Sequence, residues 1–169
     1  MRKIFPIFLA CFLLSLGAAA QNKRGPSTPE ERKRFLSLVQ QLEKNPLDET
    51  LRPEVKWAFQ WLDAVPDITV DICPTPLEGL PAENYKYTPQ LFGLYVFAMG
   101  RFAIEHPDKA GDKDAVFLAG VETALKGYQE IVKDKSNARS TALDTLLQKQ
   151  KDGKLKESVQ NASKACAGS

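Results

Sequence analysis

The chain has 169 residues, with 23 Lys and Arg against 21 Asp and Glu and a single histidine. Arg2 and Lys3 belong to an N-terminal segment that reads as a cleavable export signal, so the mature chain would carry 21 charges of each sign and no formal net charge. That balance removes the compositional case for a nucleic-acid or anionic-membrane partner, and a remainder of ordinary single-domain size is long enough to bury about two-thirds of its unfolded surface.

The segment MRKIFPIFLACFLLSLGAAA has a basic start, an apolar run over 4–16 and small residues at 18–20. The run is shorter than the ~20 residues a spanning helix needs, and Pro6 and Gly17 interrupt it. Cys11 sits inside the run, a poor fit to a lipid-modified cysteine. Cleavage after Ala20 is expected, followed by a tail over 21–27 and a helical domain over 28–169. The mature protein is then exported to the periplasm or the exterior, with no stable membrane insertion. The basic cluster Lys23, Arg24, Arg32, Lys33 and Arg34 reads as a solvated tail and first helical turn.

Thr28-Pro29-Glu30-Glu31 combines an N-cap, a proline at the first helical position and a glutamate at the third, which predicts a helix start. Phe35, Leu38, Val39 and Leu42 keep one-face spacing, and Asn45-Pro46 ends this amphipathic, peripheral helix. A second helix spans about 53–64, with Val55, Ala58, Phe59 and Leu62 in one stripe and Trp61 on its edge. Trp57 falls on roughly the opposite side, either covered by the following loop or displayed to a partner.

Residues 65–87 hold five prolines or glycines at 66, 74, 76, 79 and 81, and form one long irregular loop. Within it, 68–72 alternates like a short strand but has no evident partner, and reads as an extended segment. Thr88-Pro89 predicts the start of a third helix that is apolar on all sides and therefore buried. Gly93 and Gly100 share one of its faces and allow close approach of a neighbour. A fourth helix over about 112–133 is strongly amphipathic, and two shorter ones follow over 140–151 and 154–166, separated by Asp152-Gly153. The expected fold is all-α: a single compact domain of five to six helices around a buried central helix at about 88–105.

Export leaves two cysteines in an oxidising compartment, Cys73 and Cys166, which predicts a disulfide between them. In the chain-entropy picture such a bridge contributes about 4–5 kcal/mol. A metal site lacks ligands, since there is one histidine and no C-x-x-C.

His106-Pro107-Asp108, between two helices and followed by Tyr128-Gln129-Glu130-Ile131-Val132, resembles the J-domain of co-chaperones over about residues 94–133. The resemblance implies that the tripeptide joins two antiparallel helices and stimulates ATP hydrolysis by a partner chaperone. In that family the preceding helix is basic and docks on an acidic surface; here Arg101 is its sole basic residue. Residues 124–132 also resemble the second helix of a tetratricopeptide repeat, without a matching first helix or a 34-residue period. Asn161-Ala162-Ser163 fits a glycosylation sequon.

Any hydrolase apparatus would run through His106 and nearby carboxylates, because there is no other histidine, no H-E-x-x-H, no phosphate-binding glycine loop and no G-x-S-x-G. Asp108, Asp112 and Asp114 read as helix-capping residues. No cofactor is implied. The sequence favours a non-catalytic binding or interaction protein with an unidentified protein or peptide partner. Its candidate surface is Trp57 together with Tyr85, Lys86 and Tyr87 at the tip of the loop.

Overall fold

The computed structural model describes residues 24–77 and 84–166. The expected signal segment lies outside the described residues. Six α-helices account for the architecture: α1 (Pro29–Lys44), α2 (Arg52–Ala64), α3 (Thr88–Glu105), α4 (Lys113–Asp134), α5 (Thr141–Lys151) and α6 (Leu155–Ser163). Single 3-10 turns at Glu49–Leu51, Thr75–Leu77, Pro107–Lys109 and Lys164–Cys166 fill the connections, and there is no strand among the described residues.

Local chemistry starts most of these helices. In α1 the capping box is complete: Thr28 accepts from the Glu31 amide at 3.2 Å and Glu31 accepts from the Thr28 amide at 2.9 Å. Asp112 caps α4 by accepting from the Ala115 amide at 3.1 Å, and Ser140 caps α5. At α3 the expectation is off by one residue. Thr88 is the first helical residue rather than the cap, and its hydroxyl donates to the Tyr85 carbonyl at 2.8 Å.

α3 is the central helix, with ten buried residues spread around its circumference. α4 packs along it in the opposite direction, because Gly120 faces Tyr95 and Met99 while Gly127, farther on, faces Leu94 and Leu91. A Cβ on Gly120 would lie 2.7 Å from a Tyr95 ring carbon, so glycine is what lets the two helices close on each other there. The glycines of α3 act differently from the expectation. Gly93 and Gly100 receive side chains, Phe59 in one case and Leu62 with Phe35 in the other, rather than a neighbouring backbone.

One of the first two helices sits as its periodicity implied and the other does not. α1 buries the predicted stripe, Phe35, Leu38, Val39 and Leu42, against α3 and α4, and keeps its other face toward solvent. Its Glu43 meets Arg101 of α3 at 3.0 Å, and Arg101 also donates to Thr123 of α4 at 3.0 Å. α2 is rotated from its predicted stripe, with Ala58 and Trp61 inward and Phe59 39% exposed. Trp61 decides this rotation, since its ring packs 4.9 Å from Phe35 and 5.6 Å from Trp57 and buries more apolar surface than the smaller residues of the stripe.

α5 and α6 pack on α4. Tyr128 of α4 fixes that layer by accepting from the Ser140 amide at 2.9 Å and donating to Asp144 at 2.8 Å. The irregular segment after α2 is anchored at its far end. Cys73, buried, is disulfide-bonded to Cys166 with a Cα separation of 6.0 Å, and the Tyr95 hydroxyl donates to the Cys73 carbonyl at 2.7 Å. Among the described residues, no helix is long and apolar enough to cross a membrane.

Candidate docking surface

The residues expected to form a recognition surface fall into two separate clusters. Trp57 is half-buried: its ring stacks on Trp61, and the Arg34 guanidinium lies 3.8 Å from the ring centroid. Arg34 is itself held by both oxygens of Glu54 at 2.7 and 2.8 Å, so a fixed cation roofs the indole. Tyr85 and Tyr87 pack edge to face at 5.6 Å, beside Tyr128. The Tyr85 hydroxyl donates to the Ala138 carbonyl at 2.7 Å, and burial pushes its ionisation well above the ordinary phenol value. Tyr87 is buried. These two rings fasten the end of the loop to the α4–α5 layer, while Lys86 remains exposed with its ammonium 5.5 Å from the Tyr87 ring.

His106 is exposed on the turn joining α3 to α4, where it ends α3 and its ring lies 4.8 Å from Phe102. The His-Pro-Asp tripeptide thus does join two antiparallel helices, as the J-domain resemblance implies. Arg101, the one basic residue of the preceding helix, is engaged with Glu43 and Thr123 instead of lying open on a docking face. The nearby carboxylates have other partners. Asp112 caps α4, Asp114 accepts from Gln160 and Ser163 at 3.1 and 3.2 Å, and Asp71 pairs with Lys113 at 2.7 Å. Among the described residues, no group of three His, Cys, Asp or Glu side chains is arranged to hold a metal.

A groove of about 500 Å³ lies elsewhere, between α2 and the segment that follows it. Phe59 and Leu62 of α2, Val96 of α3, and Ile68, Val70 and Ile72 line it. Only two large hydrophobic side chains are exposed among the described residues, Phe59 at 39% and Ile72 at 61%; both line this groove, and Ile72 also borders the hollow beside Cys73 and Cys166. The sequence held two signals for it. α2 carries more large apolar residues than one helical face can bury, and the alternation over 68–72 has no partner strand.

Across the segment from this groove is a second hollow of about 320 Å³, lined by Asp67, Thr69, Asp71, Lys113 and Phe117 among others. Asp67 anchors the start of the segment to the N-terminal end of α1. It accepts from the Ser27 amide, the Ser27 hydroxyl and Arg32, each at 2.7 Å. Partial burial works against its charge, but these donors outweigh it and hold the carboxyl at about 2, below the usual aspartate range. Both ends of the segment are therefore fixed, at Asp67 and at Cys73, and the groove is a built feature rather than a fraying edge.

No family model, curated protein or solved structure matches this chain. The J-domain resemblance is carried by the tripeptide, its position between two helices and the later run Tyr128-Gln129-Glu130-Ile131-Val132.

Proposed function

We propose that this chain is an exported, non-catalytic binding protein that docks a partner protein on the groove between Phe59 and Ile72. The observation that carries the reading is the convergence of the two exposed large hydrophobics into one concave surface. A soluble domain gains nothing in stability by leaving such side chains in water, and a concave apolar patch of this kind is where partners bind. The signal-like N-terminus and the Cys73–Cys166 disulfide support an oxidising, extracytoplasmic setting. The rim carries Asp63, which has no ion pair among the described residues, so a partner with a basic side chain beside its apolar ones is favoured.

Chemical cross-linking in the envelope and culture medium of the native host tests this with three proteins: wild type, Ile72→Gln and His106→Ala. The wild type and His106→Ala are expected to yield the same cross-linked partner, and Ile72→Gln to lose it. A partner lost with His106→Ala and kept with Ile72→Gln would instead favour the co-chaperone or hydrolase reading centred on His106.

A further inference from the structure

A hollow of about 260 Å³ opens where the chain between α1 and α2 meets the starts of α2 and α3, and it shares no lining residue with the Phe59–Ile72 groove. Its floor is buried and apolar, made of Leu42, Pro46, Leu94 and Phe97, and the half-buried Leu47 and Val55 form its walls. Its mouth is charged, with Glu49, Arg52 and Lys56 exposed beside the half-buried Asp48. An apolar floor under a polar rim is the form of a small-molecule site. A cavity of about 150 Å³ holds benzene, so this one has room for about ten non-hydrogen atoms.

The rim leaves one charge uncommitted. Glu49 pairs with Arg52, and Asp48 caps the turn at Glu49–Leu51 by accepting from the Thr50 amide at 2.9 Å and the Thr50 hydroxyl at 2.6 Å. Lys56 alone of the four has neither an ion pair nor a hydrogen bond among the described residues. The backbone adds to that sign. Arg52, Val55 and Lys56 stand at the start of α2, and Pro89 and Gln90 at the start of α3. Neither helix has a side-chain cap, and Glu54, the acidic residue in the first turn of α2, is turned to Arg34. The positive ends of both helix dipoles therefore flank the mouth. Gln90 supplies a directed donor. Its carboxamide makes no hydrogen bond among the described residues, and its oxygen is sealed from solvent, so the NH2 end is the one left to donate outward.

We propose that this hollow binds a small monocarboxylate, whose apolar body lies over Leu94 and Phe97 and whose carboxylate accepts from Lys56 and Gln90 at the mouth. The site is independent of the docking groove and stands whether or not a protein binds there. Isothermal titration calorimetry tests it with octanoate and with octanamide, which has the same size and no charge, on the wild type, Lys56→Gln, Val55→Phe and Ile72→Gln.

Octanoate is expected to bind the wild type about fivefold more tightly than octanamide, the margin that an exposed cation and one added donor give a carboxylate. Lys56→Gln, a change at an exposed position, should remove that preference and leave octanamide binding as it was. Val55→Phe fills the hollow with a ring and should abolish binding of both, whereas Ile72→Gln should change neither. Should Val55→Phe fail to fold, the amide NMR shifts that octanoate induces in the wild type locate the ligand, and they are expected at Leu47, Val55 and Gln90 rather than at Ile68 and Ile72. The proposal is overturned by no binding of octanoate, by equal affinity for octanoate and octanamide, or by a preference that survives Lys56→Gln. Octanoate retained by a folded Val55→Phe, or shifts centred on Ile68 and Ile72, overturns it as well.

Discussion

Two regions built from similar apolar residues have opposite designs. In the α3–α4 hairpin, glycines on α4 admit Tyr95 and Leu94 of α3, and every large side chain between the helices is sealed from water. In the segment after α2, the chain is held at Asp67 and Cys73 and left uncovered between them. The contrast is sharpest across one contact. Phe97 of α3 and Phe59 of α2 have ring centroids 4.5 Å apart, yet Phe97 is fully buried and Phe59 is 39% exposed. Complete burial in the first region goes into stability, and the apolar surface left open in the second is free for something else.

The largest expected effect comes from breaking the sealed side. Phe97→Ala removes a fully buried ring that packs on both Phe35 and Phe59, and should cost about 3–5 kcal/mol by chemical denaturation. A loss below about 1 kcal/mol would mean that α3 is not tightly packed against α1 and α2 as described here. Next in size is the anchor of the open side. Cys166→Ser removes the bridge between residues 93 apart in sequence and should cost about 2–4 kcal/mol. It should also speed amide exchange around Cys73 and α6 more than within the hairpin. Uniform acceleration through α3 and α4 would contradict the separation of the two regions.

The hairpin was more legible in sequence than the groove, for physical reasons. Caps act within one turn, so Thr28, Asp112 and Ser140 announce their helices without any tertiary information. An all-round apolar helix such as α3 has nowhere to go but the centre. The Cys73–Cys166 pairing followed from there being two cysteines beyond the signal-like segment. Exposure of Phe59 was hidden because periodicity weighs each apolar residue alike, whereas the fold let the larger Trp61 take the inward position against Phe35. The tyrosines at 85 and 87 misled in the other direction. A tyrosine in a loop has the same sequence signature whether its hydroxyl meets water or, as for Tyr85, the carbonyl of Ala138.

The smallest expected effect concerns the other anchor of the open segment, and it has a sign. Asp67 ionises at about 2 in the folded chain, below its ordinary value of 3.8, because the Ser27 donors and Arg32 outweigh the cost of its partial burial. A depressed carboxyl stabilises the fold above its unfolded value and loses that contribution as pH falls through the folded one. The stability difference between wild type and Asp67→Asn should therefore be flat from neutral pH down to about 4 and shrink between about 4 and about 2. Its size at neutral pH should stay below about 1 kcal/mol, as expected for a charge still open to solvent. Direct titration of the Asp67 carboxyl by NMR checks the cause. An ordinary midpoint near that of a free aspartate would show that Ser27 and Arg32 do not hold the segment in solution, leaving Cys73 as its only fixed end.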